Sequence, residues 1–330
     1  MTRQVLVTGG TGFVAGWTIV ELLRRGYAVR TTVRGEARAE AVRSAVGREA
    51  DVSSLQFATA DLTADAGWDA AVEGCAGVLH IASPMGQTAA AAELTEAARG
   101  GALRVLAASA RQGVKRVVIT SSTAACTPAR PLKRAITEAD WTDPDQPGLS
   151  GYRRSKTLAE RAAWDFAAGQ PQLGLTTILP GAIFGPVLTK AQLGSVGILQ
   201  QLLSGQPRAL PRLGFNITDV RDLAAAHVNA LEAPGAVGRR FITMGEALWY
   251  GDVADTLRDR LGAGAAKVPT ARMPDVVART LGLVSPQMKA LMPLLGRTQA
   301  FSSEAAAQVI GWSPRPARDT VADCGASLLA

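Results

Sequence analysis

Along the first half of the chain, short unbroken apolar runs alternate with longer stretches whose apolar residues recur every three or four positions. The runs "RQVLVTGG" (3–10), "YAVRTTVR" (27–34), "SLQFATADL" (54–62), "GVLHIAS" (77–83) and "KRVVITSS" (115–122) read as strands. Between them, "GWTIVELLRRG" (16–26), a polar stretch to about Arg48, residues 67–73 and the alanine-rich stretch 89–111 read as helices. After a proline-rich loop, "YRRSKTLAERAAWDFAA" (152–168) is helical, and "GLTTILPGAIFGP" (174–186) is a strand that leaves into a loop. Strands this apolar, alternating with helices this regularly, predict an α/β fold with a parallel sheet covered on both faces.

The second half is less regular. Residues 187–205, 250–262 and 273–296 read as helices, the last interrupted by Pro286 and Pro293. No clean linker, repeat or low-complexity segment divides the chain. The expected organisation is a nucleotide-binding domain over 1–186, to which the chain returns at about 213–245. A smaller, mostly helical substrate lobe takes 187–212 and 246–330.

Composition removes several function classes. At 330 residues and 47% hydrophobic, the chain is long enough for a proper core. No segment approaches the roughly 18 unbroken apolar residues of a membrane span. "MTRQVLVTGG" runs straight into a strand and lacks signal-peptide anatomy. Cys75, Cys126 and Cys324 are widely spaced and odd in number, which points to reduced thiols and a cytoplasmic protein. The net charge of +7 comes from scattered arginines whose longest groupings are pairs such as Arg24-Arg25, so nucleic acid is not an expected partner. His80 and His227 have no clustered partners, and no metal is expected.

Two local patterns carry candidate chemistry. "VTGGTGFVAG" contains G-x-G-x-x-A at Gly10, Gly12 and Ala15, and equally G-x-x-G-x-x-A from Gly9. Placed between the first strand and first helix, such glycines let backbone amides approach a pyrophosphate. At the end of the second strand, "TTVRG" offers Arg34 and no carboxylate before Glu36. A planar guanidinium suits a 2′-phosphate, so the pattern favours NADPH over NADH. The second pattern is "LSGYRRSK", which sets Tyr152 four residues before Lys156. That spacing places both on one helix face, which fits a catalytic pair and fits two amphipathic side chains equally well.

With "VTGGTGFVAGW", "VRTTVR", "ADL" (60–62), "LHIASPM" (79–85), "VVITSS", "YRRSK", "LPGAIFGP", "DVRDLAAAH" and the closing "IGWSPRPARDTV", the chain resembles the extended short-chain dehydrogenase/reductase family. Within it, the resemblance is to the dihydroflavonol-reductase-like branch of NADPH-dependent aldehyde and ketone reductases. It covers nearly the whole chain. It implies a Rossmann-type doubly wound sheet, NADPH/NADP⁺ as cofactor, a small carbonyl substrate, and a monomer or homodimer. It makes Ser122, Tyr152 and Lys156 the catalytic set, with Tyr152 as proton donor and Ser121 as the competing serine. It places the cofactor along Gly9, Thr11, Gly12, Phe13, Val14 and Arg34, then Asp61 and Leu62 at the adenine. Ala82, Ser83, Pro84 and Thr120 follow, with Tyr152 and Lys156 again, and Pro180, Gly181, Ala182 and Ile183 lie on the nicotinamide side. A nucleotide-sugar epimerase or dehydratase of the same fold, or a non-catalytic NADPH sensor, is the alternative.

The chain also departs from relatives. Arg99-Gly100-Gly101 stands where many carry an asparagine in an "NGT"-like element. Thr127 stands five residues after Ser122, where the plant flavonoid enzymes carry asparagine. The extended tyrosine motif of the cinnamoyl-CoA reductases is absent from "GLSGYRRSK". Neither a flavonoid nor a CoA thioester is therefore the expected substrate.

Overall fold

A computed structural model describes residues 3–84, 91–189 and 194–330. In chain order the elements begin β1 (Gln4–Val7), α1 (Phe13–Arg24), β2 (Ala28–Val33), α2 (Glu36–Gly47), β3 (Leu55–Thr59) and α3 (Trp68–Val72). They continue with β4 (Gly77–His80), α4 (Ala91–Arg111), β5 (Arg116–Thr120), α5 (Gly151–Ala168), β6 (Gly174–Pro180) and β7 (Ala182–Phe184). Next come α6 (Gly197–Leu203), β8 (Gly214–Asp219), α7 (Val220–Glu232), β9 (Arg239–Thr243) and β10 (Ala247–Trp249). The chain closes with α8 (Tyr250–Leu261), α9 (Asp275–Val284), α10 (Pro286–Leu291), α11 (Glu304–Ile310) and α12 (Ala317–Leu329).

Strands β1 to β6 together with β9 form one seven-stranded sheet in the order β3-β2-β1-β4-β5-β6-β9, every neighbour parallel. Strand order reverses between β1 and β4, the switch point of a doubly wound Rossmann-type sheet, as expected. On one face Leu6, Val78, Val117, Ile119 and Leu175 pack into a core with Trp68, Val105, Leu106 and Ala163 of α3, α4 and α5. Alternation along β1 turns Val5 and Val7 the other way, and they are just as buried. That is why the strands read as unbroken apolar runs.

Contacts divide the chain into two units. The first comprises residues 1–180, 221–243 and 301–313, and holds the parallel sheet. The second comprises 181–220, 244–300 and 314–330, and holds a three-stranded sheet in the order β10-β8-β7. The division falls after Pro180 rather than Pro186, and residues 301–313 join the first unit.

The apolar run 174–186 is therefore two strands in two sheets. β6 ends on Pro180, which has no N–H to extend a ladder. The next residue, Gly181, has no room for a side chain: a Cβ there would lie 2.4 Å from the Asn216 carbonyl oxygen. Helix α6 is shorter than the expected 187–205, and residues 190–193 of that stretch lie outside the described residues. The expected interruption at Pro286 is present: α9 ends at Val284 and Pro286 opens α10, with the Ser285 hydroxyl accepting from the Met288 N–H at 3.3 Å.

Candidate active site

The positions that the resemblance marks within the first unit fall at or beyond the carboxyl ends of parallel strands, at the start of α1, or in the first half of α5. That edge is where open α/β sheets bind ligands. Gly9 turns the chain after β1 with φ +73°, and a Cβ there would come within 2.9 Å of the Ala82 side chain. Its N–H donates to Thr32 Oγ1 at 2.8 Å, and the Gly10 N–H donates to the Thr32 carbonyl at 3.0 Å. The loop is thus pinned to β2. The Gly12 N–H closes the turn on the Gly9 carbonyl at 2.8 Å.

Gly12 is also the N-cap of α1, without a side chain to cap the first amides, and no acidic residue stands in the first turn. Thr11, Phe13 and Val14 belong to this same turn. Such a helix start favours an anion. Arg34 follows β2 and is exposed. Beyond β3, the Asp61 carboxylate accepts from the Thr63 hydroxyl at 2.6 Å and the Thr63 N–H at 2.8 Å. Those bonds hold its carboxyl below the ordinary carboxylate range, and the Arg34 charge adds to the effect. The Leu62 carbonyl accepts from Arg104 at 3.0 Å. Ala82, Ser83 and Pro84 follow β4 and are half-buried. Met85 lies outside the described residues.

Thr8 joins β1 to β4. Its hydroxyl oxygen accepts from the N–H groups of Ile81 (3.0 Å) and Ala82 (2.9 Å). Its proton is left for His80 Nδ1 at 2.9 Å, which assigns the ring proton to Nε2. Burial, reinforced by the Lys156 charge, pushes the His80 imidazolium down to about 3. His227 is held neutral as well, burial pushing it down to about 4. Its Nδ1–H donates to the Leu223 carbonyl at 2.7 Å, so Nε2 accepts from the Thr120 hydroxyl at 2.7 Å. The Thr120 hydroxyl proton is committed to that bond.

After β5 the two serines part. Ser121 Oγ donates to Glu160 Oε2 at 2.6 Å in a buried contact. Ser122 instead caps the 3₁₀ turn Thr123–Ala125, its Oγ accepting from the Ala124 N–H at 3.2 Å. That turn packs against α5. Ser150 caps α5 by accepting from the Arg153 N–H, so the helix begins just before Tyr152. The tyrosine is 45% exposed, whereas Lys156, one turn on, is 9% exposed. Among the described residues no carboxylate pairs with Lys156.

Thr127, where flavonoid enzymes carry asparagine, turns its hydroxyl onto the Thr123 carbonyl at 2.6 Å. Pro180 ends β6 and its carbonyl accepts from Thr123 Oγ1 at 3.2 Å. Gly181, Ala182 and Ile183 belong to the second unit, where Gly181 N–H donates to Thr218 Oγ1 at 3.0 Å. Burial pushes the Cys126 thiol up to about 12, and it raises Cys75 too, so neither is poised as a nucleophile. Glu160 and Thr8 are among the polar residues here that residue pattern alone did not single out. Only the i+4 spacing of Glu160 from Lys156 pointed to it.

The family described as the NAD dependent epimerase/dehydratase family matches residues 5–245. Cinnamoyl-CoA reductase CAD2 of Medicago truncatula is 36% identical over 77% of this chain and 80% of its own length. Ketoreductase azaE of Aspergillus niger is 32% identical over 83% of this chain and 87% of its own length. The structure of Gre2 from Candida albicans in complex with NADPH superposes with a TM-score of 0.83 at 26% identity. It covers 99% of this chain and 98% of that one.

The two neutral histidines set a pH dependence. Both rings titrate far below their ordinary value of 6.5, so under acid conditions the unfolded chain binds protons that the native chain refuses. Their stabilising contribution is complete above about pH 6.5 and is lost as pH falls towards about 4 for His227 and about 3 for His80. Between pH 5 and 6, unfolding is expected to place roughly 1.5 to 1.8 protons on these rings, a slope of about 2 to 2.5 kcal/mol per pH unit. Urea unfolding across that interval measures it. A flat profile would show that the rings titrate as in water.

Proposed function

This chain belongs to the NAD dependent epimerase/dehydratase family, and from that premise we propose that it is an NADPH-dependent carbonyl reductase, converting an aldehyde or ketone to an alcohol. One observation carries the reading: a lysine is buried without a carboxylate partner among the described residues, one turn from a tyrosine that is exposed. A tyrosine and lysine that merely shared a solvated helix face would leave the ammonium, not the phenol, in water. The reductase names of the relatives support the same reaction class.

The residues present suit NADPH. The uncapped, acid-free start of α1 and the Gly9–Gly12 turn offer amides to the pyrophosphate. Arg34 offers its guanidinium to the 2′-phosphate. Asp61, Leu62 and Ala82 to Pro84 continue along the same sheet edge, and Lys156 holds the nicotinamide ribose. When bound, NADPH supplies the hydride. Tyr152 donates the proton to the oxygen on which negative charge develops. Lys156 stabilises the charge left on the tyrosine oxygen, and Ser122 hydrogen-bonds the carbonyl oxygen. His80, neutral, adds no competing positive charge beside Lys156.

The aliphatic or aromatic character of the substrate is open to assay with aldehydes, ketones and 1,2-diketones. NADPH loss should match alcohol formed, mole for mole, because the cofactor leaves after each turnover. Non-exchanging NAD⁺ in the purified protein, with no carbonyl-dependent NADPH loss, would instead make it an epimerase or dehydratase. Tyr152→Phe keeps the ring and removes the proton, so kcat should fall by about 10²- to 10⁴-fold with NADPH binding retained. A folded variant keeping more than about a tenth of wild-type kcat would contradict the acid–base role.

Arg34→Ala should weaken NADPH roughly 10- to 150-fold while sparing NADH, given about 1.5–3 kcal/mol for a hydrogen bond to a charged group. The lower end is expected because Arg38, one turn along, can compensate, whereas Arg43 is held over the Phe57 ring. Dissociation constants for both cofactors at one salt concentration decide it. Equal weakening of both would mean that Arg34 acts through the fold.

A further inference from the structure

Behind the two serines lies a buried carboxylate that the proposed chemistry does not use. Glu160 stands on α5 one turn after Lys156, and its side chain is 1% exposed. Arg240 of β9 meets it with two bonds, Nε to Oε1 at 2.9 Å and Nη2 to Oε2 at 3.2 Å. Thr177 Oγ1 of β6 donates to Oε1 at 2.7 Å, and Ser121 Oγ donates to Oε2 at 2.6 Å. Trp164 Nε1 adds a longer contact at 3.4 Å. One carboxylate therefore ties the carboxyl end of β5, the middle of β6 and the start of β9 to the helix carrying Tyr152 and Lys156. Arg240 is fixed in turn. Its Nη1 donates to the carbonyls of Glu138 (2.6 Å) and Asp140 (2.9 Å), and its guanidinium lies 3.6 Å from the centre of the Trp141 ring.

We propose that Glu160 is a positioning residue: through its bond to Ser121 it sets the Ser121–Ser122 backbone against α5, and so places the Ser122 hydroxyl relative to Tyr152 and Lys156. This rests on the reductase reading above. A buried ion pair is not in itself a stability device, because desolvation offsets much of the attraction. Its geometric value is different. Charge-assisted bonds are short and directional, and this one sits on the residue directly preceding the proposed carbonyl-binding serine. Adjacent residues in extended backbone point to opposite sides. Holding Ser121 inward on Glu160 therefore turns Ser122 outward, towards the edge where ligands bind.

The test compares Ser121→Ala, Ser121→Thr, Glu160→Gln and the double variant Ser121→Ala/Glu160→Gln with wild type. Each is assayed with NADPH and the best carbonyl substrate from the panel. Ser121→Ala removes only the link. It should lower kcat by about tenfold, the share of one charge-assisted bond that reaches the barrier. The KM and Kd for NADPH should stay within about twofold of wild type, since the glycine turn and Arg34 are untouched. Ser121→Thr, which retains the hydroxyl, should recover most of the loss. Glu160→Gln also leaves the Arg240 guanidinium without its counter-charge, so it should lose at least as much as Ser121→Ala. Adding Ser121→Ala to it should cost much less than in wild type, because that second loss acts through a bond already disrupted.

Wild-type kcat in folded Ser121→Ala overturns the proposal, as does multiplicative loss in the double variant. A loss in Ser121→Ala as large as that of Tyr152→Phe also overturns it, by making Ser121 itself the carbonyl-binding hydroxyl. Should Glu160→Gln fail to fold, the two Ser121 variants still decide. Retained activity in Tyr152→Phe, run alongside, would point instead to failure of the reductase reading.

Discussion

Lys156 is held at the carboxyl edge of the parallel sheet with 9% of its surface exposed, and a desolvated ammonium group is tolerated only where its surroundings are arranged for it. Two arrangements are visible. His80, close enough for the lysine charge to act on it, is kept neutral by burial, with Thr8 fixing its tautomer. Glu160, one turn along the same helix, has both carboxylate oxygens occupied by Arg240, Ser121 and Thr177. The nearest carboxylate on the helix is thus already neutralised by another cation. No carboxylate among the described residues is left to pair with the lysine, which is what the proposed role beside Tyr152 requires.

The sheet supplies the frame for this. Because every neighbouring strand is parallel, all carboxyl ends meet at one edge, and residues far apart in sequence arrive there together. Thr8 after β1, His80 at the end of β4, Ser121 after β5 and Pro180 at the end of β6 occupy successive positions along that edge. Side-chain hydrogen bonds then cross between strands: Thr8 to the Ile81 and Ala82 amides, Thr123 to the Pro180 carbonyl, Thr120 to His227. These bonds fix loops that would otherwise be free to move. The glycine turn before α1 is held in the same way, by Thr32.

Much of this was legible in the sequence because burial on both faces leaves a strong signature. Each strand of the parallel sheet up to β6 fell inside an apolar run, and the glycine pattern sat at the turn where it was expected. What stayed hidden depends on partners distant along the chain. The bond between Glu160 and Arg240 spans 80 residues, and that between Thr8 and His80 spans 72. No local periodicity encodes either. The break at Pro180–Gly181 was hidden for another reason. Residues 174–186 have no charged side chain to mark a boundary, and the break is explained by Pro180, which cannot donate to a ladder, and by the close approach of the Asn216 carbonyl to Gly181. Ser121 and Ser122 could not be told apart by residue type, since only their directions differ.

In the proposed reaction this edge delivers hydride to a carbonyl carbon and a proton to its oxygen, and then releases both products. NADPH bearing deuterium at the transferable C4 position, supplied with a carbonyl compound that the protein consumes, tests it in one measurement. Mass spectrometry should find one deuterium per molecule of alcohol, on the former carbonyl carbon, with free NADP⁺ in equal amount. Alcohol without the label, or label that stays on a cofactor the protein does not release, would contradict the account.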